Sequence, residues 1–189
     1  MEKKILHVSG SLSAGGQERT LLNILQSFKN CNQNSYLYTI NHDGGLKDHF
    51  IENSDKIFYA PFSKFKLIRI IIQIIHIVHT INKNQFQIVQ FYHYGSISKF
   101  WISILFFTKA KVSYFIGNQG HDRSFWQFKH IDAIVKYIDL IIVNSLSICK
   151  SHAIDEELNR VFHLKNVLDE KVIDSVKIKD DEGEIKELK

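Results

Sequence analysis

Short apolar runs alternate with segments of helical periodicity over most of the 189 residues. The first run, residues 5–8, leads into a loop of small residues. Four apolar residues at the spacing of one helix face follow it: Leu21, Leu22, Leu25 and Phe28. This order predicts a strand, a tight loop and a helix, which is half of a βαβ unit. Later apolar runs predict further strands at residues 35–41, 56–59, 86–91, 111–116, 139–144 and 160–164.

Helical patterns fall between these runs, at residues 62–84, 96–107, 125–137 and 145–152. Nearly continuous apolar strands that alternate with helices predict an α/β protein with a doubly wound, mostly parallel, Rossmann-like sheet. We expect this domain to span residues 1–174. Residues 175–189 are charged at almost every position, which predicts a solvated tail or an interdomain linker.

The helix predicted at residues 62–84 is apolar around most of its circumference. Its polar residues recur every three or four positions in one narrow stripe: Lys66, Arg69, Gln73, His76, Thr80 and Lys83. Such a helix needs cover on more than one side. One alternative is that a neighbouring helix covers the additional side. The other is that a membrane surface covers it, with anionic head groups contacting Lys64, Lys66 and Arg69.

Charge is distributed unevenly along the chain. No acidic residue lies between Asp55 and Asp122, whereas the basic residues in this segment are Lys56, Lys64, Lys66, Arg69, Lys83, Lys99, Lys109 and Lys111. This segregation implies an anionic partner. The formal net charge of +4 is too small for a dedicated nucleic-acid binder, and the aromatic residues form no RNA-binding signature. We therefore expect no nucleic-acid partner.

Two well-known phosphate-binding loops are excluded by the residues after the first strand. Gly10 and Gly15 have Walker A spacing, but Gly16 and Gln17 stand where Lys and Ser/Thr are needed. The dinucleotide fingerprint G-x-G-x-x-G is also absent. What remains is Gly-Gly-Gln-Glu-Arg, residues 15–19, at a predicted helix start that favours an anion. A glycine-rich turn that requires positive φ is the structural alternative.

This stretch resembles the opening of GT-B glycosyltransferases of family 4, in which a strand and a small-residue loop precede Gly-Gly-x-Glu-Arg. The resemblance spans about residues 4–175 and departs from the family at Gln87, where an Asp commonly opens the strand, and at Val167, where a glycine is usual. Four later segments fall in the family's order: Tyr92-His93-Tyr94, Gly120-His121-Asp122, Ile141 to Ser145, and Leu164 to Asp169.

The resemblance implies roles for individual residues. Gly15 and Gly16 would approach the diphosphate of a nucleotide-sugar donor with their backbone N–H groups. His121 would lie near the transferred sugar and the acceptor hydroxyl, where it stabilises charge or takes a proton; a loop histidine without a chemical role is the alternative. Weaker candidates for substrate binding are Glu18, His93 and Asp122, whereas Arg19 fits a first-turn helix residue.

The resemblance also implies an activity, the transfer of a sugar from a nucleotide-sugar to a lipid-linked or polysaccharide acceptor. The family's second domain carries most of the nucleotide-sugar site, and this sequence ends where that domain would begin. We therefore expect an acceptor-side half that needs a separate C-terminal-domain subunit to position both substrates. A non-catalytic binding or scaffold module, or a truncated remnant, would keep the same fold.

No metal and no other cofactor is expected. The GT-B enzymes that the chain resembles typically need no metal, and Cys31 and Cys149 lack the spacing of a zinc site or a disulfide framework. The sequence enters its first strand directly after Met-Glu-Lys-Lys and has no apolar run of roughly 18 residues, so we expect a cytoplasmic protein. The basic segment and the resemblance together predict peripheral attachment to the inner face of the membrane, with binding to anionic liposomes as the test.

Overall fold

The structure, a computed structural model, describes residues 3–92, 94–117, 137–144, 160–164, 178–179 and 185–186. The elements within these ranges are, in chain order, β1 Ile5–Ser9, α1 Gly16–Asn30, β2 Tyr36–Thr39, α2 Lys47–Glu52, β3 Lys56–Tyr59, α3 Lys66–Asn84, β4 Ile88–Phe91, α4 Tyr94–Phe107, β5 Lys111–Ile116, β6 Leu140–Val143, β7 Val161–His163, β8 Ile178–Lys179 and β9 Ile185–Lys186.

Strands β1 to β7 form one sheet in the order β3-β2-β1-β4-β5-β6-β7, and every neighbouring pair is parallel. The chain builds outward from β1 to β3, crosses back, and continues from β4 on the other side of β1. The predicted parallel α/β fold is therefore confirmed. The order reverses between β1 and β4, which is where ligands bind in folds of this type.

The two faces of the sheet carry different helices. On one face, Leu6 and Val8 of β1 pack in a core with α3 and α4. On the other face, Leu37 of β2 and Phe115 of β5 pack in a second core with α1 and α2. Because successive side chains of a strand point to opposite faces, the nearly continuous apolar strands supply both cores.

A histidine lies inside the buried strand β1. The His7 side chain is fully buried, and its Nδ1 forms a 3.0 Å hydrogen bond with the hydroxyl of Tyr92. Its ring meets Phe28 of α1 edge to face, with 5.5 Å between the ring centres. Burial lowers the pKa of His7 from 6.5 to about 4, so the imidazole is neutral at neutral pH.

The structure changes several predicted element bounds. Helix α3 begins at Lys66 rather than at residue 62, α4 begins at Tyr94 rather than at residue 96, and the six-residue helix α2 was not predicted. Of the helix predicted at residues 125–137, residues 125–136 lie outside the described residues, and so does the whole helix predicted at residues 145–152. Strands β8 and β9 pair antiparallel within the segment predicted as a charged tail or linker.

Candidate functional site

The loop between β1 and α1 is held in place by its own contacts. The Ser9 hydroxyl donates to the carbonyl of Ser11 at 2.6 Å, and the Gly15 N–H donates to the carbonyl of Ser13 at 3.0 Å. Leu12 is fully buried in the core beneath α1. The loop therefore delivers the chain to the start of α1 at the carboxyl edge, by which we mean the edge of the sheet formed by the carboxyl ends of its parallel strands.

A second loop, which follows β2, braces the first. The Asn41 N–H donates to the carbonyl of Gly10 at 3.3 Å, and the Leu46 N–H donates to the carbonyl of Leu12 at 2.9 Å. A Cβ atom on Gly44 would overlap the carbonyl group of Leu12. Glycine at residue 44 is what allows the two backbones to approach so closely.

Gly15 and Gly16 lie where the sequence places them, at the start of α1. Gly15 is the N-cap, with φ −96° and ψ 167°, and it supplies no side-chain cap. Gly16 is exposed, and a Cβ atom there would find no other atom within 4 Å. The turn with positive φ, which was the structural alternative, does not describe Gly15. Gly16 instead leaves open space next to the N–H groups of the first helical turn, which have no acceptor within the helix.

Glu18 bends back over the beginning of its own helix. Its Oε1 accepts a 2.9 Å hydrogen bond from the Ser11 hydroxyl, and its Oε2 lies where a Cβ atom on Gly15 would be. A carboxylate at this place interacts favourably with the positive end of the helix dipole. An anion that approaches from the Gly15 side must displace this side chain, whereas the Gly16 side is open.

Contacts across the carboxyl edge connect the ends of four strands. A Cβ atom on Gly117, after β5, would lie 3.5 Å from Cγ of Gln17 in α1. Asn144, after β6, donates from Nδ2 to the carbonyl of Gly117 at 3.3 Å. Nε2 of His163, in β7, lies 3.3 Å from the carbonyl oxygen of Asn144. Sequence reasoning did not select Gln17, Gly117 or His163 as site residues, and only their positions at strand and helix ends point to them.

Three predicted site residues, His93, His121 and Asp122, lie outside the described residues, so their roles stay predictions. Within the described ranges no group of three or more His, Cys, Asp or Glu residues could hold a metal ion.

The basic residues before and within α3 lie near the same edge of the sheet. Lys64 and Lys66 are exposed, and the guanidinium of Arg69 lies 5.7 Å from the centre of the Phe62 ring. Because α3 follows the carboxyl end of β3, its first turn begins at the carboxyl edge, on the face opposite α1. None of the described helices combines the length and the apolar character needed to cross a bilayer.

A groove among the described residues lies at the other edge of the sheet. It has a volume of about 540 Å³ and is lined by residues that end α3 and α4 or precede β4 and β5, including Ile81, Phe86, Phe106 and Phe107. Ligands of parallel α/β sheets bind at the carboxyl ends of the strands. This groove is therefore not the predicted site.

Sequence comparisons give no relative, because no protein-family model matches the chain and no curated protein matches it. Solved structures do resemble it. HepE from Anabaena, in complex with UDP and glucose, has a TM-score of 0.73 at 14% identity over 91% of this chain and 46% of HepE. The apo form of WaaB, a lipopolysaccharide outer core galactosyltransferase, has a TM-score of 0.65 at 15% identity over 88% of this chain and 46% of WaaB.

The UDP-GlcNAc 2-epimerase of Methanocaldococcus jannaschii also matches, with a TM-score of 0.61 at 14% identity over 85% of this chain and 45% of the epimerase. The chain thus spans about half the length of the structures it matches. Together with the strand order, these likenesses show the fold of the N-terminal, Rossmann-like half of GT-B glycosyltransferases. Likeness at this level of identity shows the fold alone, and an epimerase shares it.

Proposed function

We propose that this chain, which has the fold of a GT-B N-terminal half, is the acceptor-side domain of a family 4 glycosyltransferase. It transfers a sugar from a nucleotide-sugar to a lipid-linked or polysaccharide acceptor at the inner face of the membrane. The observation that carries the proposal is the open space at Gly16, at the carboxyl edge of a fold shared with a structure that contains UDP and glucose. The local structure gives no other reason for glycine at that position.

The start of α1 supplies the charge stabilisation that the transfer requires. The N–H groups of the first turn carry partial positive charge and would face the diphosphate as negative charge builds on the departing nucleotide. A side chain at Gly16 would keep the phosphate oxygens away from these groups. No metal or other cofactor is included in this proposal, since backbone donors perform the task.

Glu18 has a different part in the proposal. Ser11 holds one of its carboxylate oxygens, and the other lies over Gly15. A carboxylate accepts hydrogen bonds from sugar hydroxyls and repels phosphate. We therefore place the diphosphate on the Gly16 side of the helix start and a sugar hydroxyl on the Glu18 side.

His121 is proposed as the residue nearest the reacting atoms. Imidazole titrates near neutral pH, so it suits a group that accepts a proton from the acceptor hydroxyl or stabilises the charge that develops there. His93 and Asp122 are proposed to contact the substrates. Holding both substrates in attack geometry also requires a donor-binding C-terminal domain, which we propose as a separate subunit.

The test is sugar transfer from a panel of labelled nucleotide sugars to a membrane lipid extract. The chain is assayed alone and together with the protein encoded directly downstream. We expect transfer only with the second protein. Absence of transfer in both mixtures, from a folded chain, contradicts the proposal and supports a binding or scaffold module.

The Gly16→Ala variant tests the helix start in the same assay. Its added methyl group meets no atom of the chain, so the fold should be retained while kcat/KM falls at least about tenfold as phosphate contacts lengthen. Gly45→Ala is the matched control, because a Cβ atom there also has no neighbour within 4 Å. Equal rates for the two variants would contradict the role of Gly16.

The His121→Ala variant tests the proposed reacting group. We expect transfer to be lost while binding of the second protein, followed by co-purification, is retained. Unchanged transfer would show that His121 has no chemical role.

A further inference from the structure

The surface of α3 that faces away from the sheet is apolar. Two phenylalanines of the preceding loop extend it toward the carboxyl edge. We call these residues the α3 outer face, and their exposed fractions are Phe62 72%, Phe65 71%, Leu67 75%, Ile68 48%, Ile71 52%, Ile72 38% and Ile75 63%. Contiguous exposed apolar residues of this kind mark a surface that contacts another molecule or a membrane.

Polar contacts on the inner side of α3 hold the helix in this orientation. Gln73 and Thr80 are buried, and Nε2 of Gln73 donates to the carbonyl of Pro61 at 3.3 Å. Nδ1 of His76 lies 3.2 Å from the hydroxyl of Tyr38 in β2. Rotating α3 to bury its outer isoleucines would break these bonds and expose the buried Ile77 and Ile81 instead. The exposure of the outer face is therefore built into the packing.

The charged residues of α3 and of the loop before it are all positive. Lys64, Lys66 and Arg69 lie at the beginning of the α3 outer face, and the sequence contains no acidic residue between Asp55 and Asp122. Two copies of the chain joined through this face by a twofold axis would bring the same cations together without an acidic partner. An anionic bilayer offers both negative charge and an apolar phase, which is the combination that this surface matches.

We propose that the α3 outer face is an interfacial docking surface for an anionic lipid bilayer. Its apolar residues lie at the boundary between head groups and acyl chains, while Lys64, Lys66 and Arg69 contact the head groups. The inference deepens the proposed function and rests on it in one respect, the lipid-linked acceptor. Since α3 begins at the carboxyl edge, docking sets that edge beside the head-group layer, with Gly16 on the sheet face turned away from the bilayer. A lipid-linked acceptor would have to extend its sugar along this edge to reach the start of α1.

The test is flotation of the full chain with vesicles of phosphatidylcholine alone or phosphatidylcholine mixed with phosphatidylglycerol. We expect Leu67→Gln/Ile71→Gln to lower the partition coefficient onto the mixed vesicles at least about tenfold, because two apolar side chains are removed from the boundary. Ile51→Gln/Phe162→Gln is the matched control. It also replaces two exposed apolar side chains, 49% and 64% exposed, outside the α3 outer face, and should bind like the unmodified chain.

A charge variant separates the electrostatic attraction to anionic lipid from the insertion of apolar side chains. Lys64→Gln/Lys66→Gln/Arg69→Gln should lower binding to the mixed vesicles by about fivefold for each cation removed, and added salt should reduce the difference. Lys3→Gln/Lys29→Gln/Lys47→Gln removes the same charge outside the α3 outer face and is expected to lose much less. Equal losses from the two charge variants would overturn the proposal, since the attraction would then depend on net charge alone.

Two other results would overturn the docking surface. One is unchanged vesicle binding by Leu67→Gln/Ile71→Gln. The other is a dimer, seen by light scattering, that the same variant converts to a monomer while the unmodified chain binds no vesicles. Vesicle binding and sugar transfer fail separately. A chain that binds vesicles and transfers no sugar contradicts the proposed transfer and leaves the docking surface standing. One that transfers sugar without binding vesicles contradicts the docking surface and the membrane location, and leaves the proposed transfer standing.

Discussion

Helices α1 and α3 both have a two-sided sequence pattern, but they meet the sheet in opposite ways. Helix α1 buries Leu21, Leu22 and Leu25 and leaves its basic residues, Arg19 and Lys29, in solvent. Helix α3 buries Gln73 and Thr80 together with two isoleucines, and it exposes other isoleucines. A periodic pattern thus identifies residues that share a helix face, but the contacts of that face decide whether it is covered.

The largest expected effect is a difference in the free energy of unfolding between matched truncations in α1 and α3. Leu25→Ala removes a fully buried side chain beneath α1 and should lower the free energy of unfolding by about 2–5 kcal/mol. Ile71→Ala removes an exposed side chain of α3 and should change it by less than about 0.5 kcal/mol. Urea denaturation measures both. A comparable loss from Ile71→Ala would mean that the α3 outer face is covered in solution.

A histidine beneath each helix gives the second comparison. The pKa of His7, beneath α1, is about 4 in the folded chain against 6.5 when solvated, so between these values the unfolded chain binds more protons. Stability contributed by neutral His7 is complete above pH 6.5 and is lost as the pH falls toward 4. From pH 7 to pH 5 the loss is roughly 2 kcal/mol.

His7→Leu should remove this part of the pH dependence of the free energy of unfolding, which is measured by urea denaturation at pH 7 and pH 5. Burial and the charge of His79 also lower the pKa of His76 beneath α3, but that ring is only partly buried. His76→Leu should therefore alter the pH dependence less than His7→Leu does. The opposite ranking would contradict the burial of His7.

The third comparison concerns the bond that fixes the orientation of α3. Tyr38→Phe removes the hydroxyl that meets His76 and keeps the buried ring, so we expect a loss of about 1 kcal/mol. Combined with Leu67→Gln, which relieves the exposure of the outer face, the two changes should be additive because the sites share no contact. Thermal denaturation of the single and double variants checks this. Strong coupling would mean that the inner and outer faces of α3 are not independent.

The smallest expected effect concerns the N-termini of α1 and α3, neither of which has a side-chain cap. Phe65→Ser gives α3 an N-cap hydroxyl and should raise the free energy of unfolding by about 0.5–1 kcal/mol. Gly15→Ser should gain nothing, because its Cβ atom would displace the Glu18 carboxylate. An equal gain from both substitutions would show that the Glu18 side chain does not occupy the position over Gly15.

The sequence predicts the parallel sheet well because each of its seven strands is a short, mostly apolar run of three to six residues. Helix α2 escaped prediction because it has six residues and one buried side chain, Phe50, which is too short for a periodicity. The start of α3 was misplaced because Phe62 and Phe65 continue the apolar pattern, although they lie in the loop before the helix.

The candidate site likewise has features that the sequence predicts and features that it does not. Gly15 and Gly16 are visible in the sequence because a motif of adjacent residues carries them. The close approach of Gly44 to Leu12, and that of Gln17 to Gly117, join residues that are far apart in the chain. No local pattern encodes such contacts, so only the folded chain reveals which loops brace the start of α1.

The central pairing of the sheet sets the order in which this chain can fold. Ile5 of β1 pairs with Ile88 of β4, so one side of β1 has no partner until β4 has been made. Strands β1 to β3 can pair earlier, since their partners are closer in sequence. At about 5–20 residues per second, a ribosome needs roughly 4–16 s to extend the chain from β1 to β4. During that interval the nascent β1 edge is open to wrong partners, which makes translation speed over the first ninety or so residues a determinant of yield.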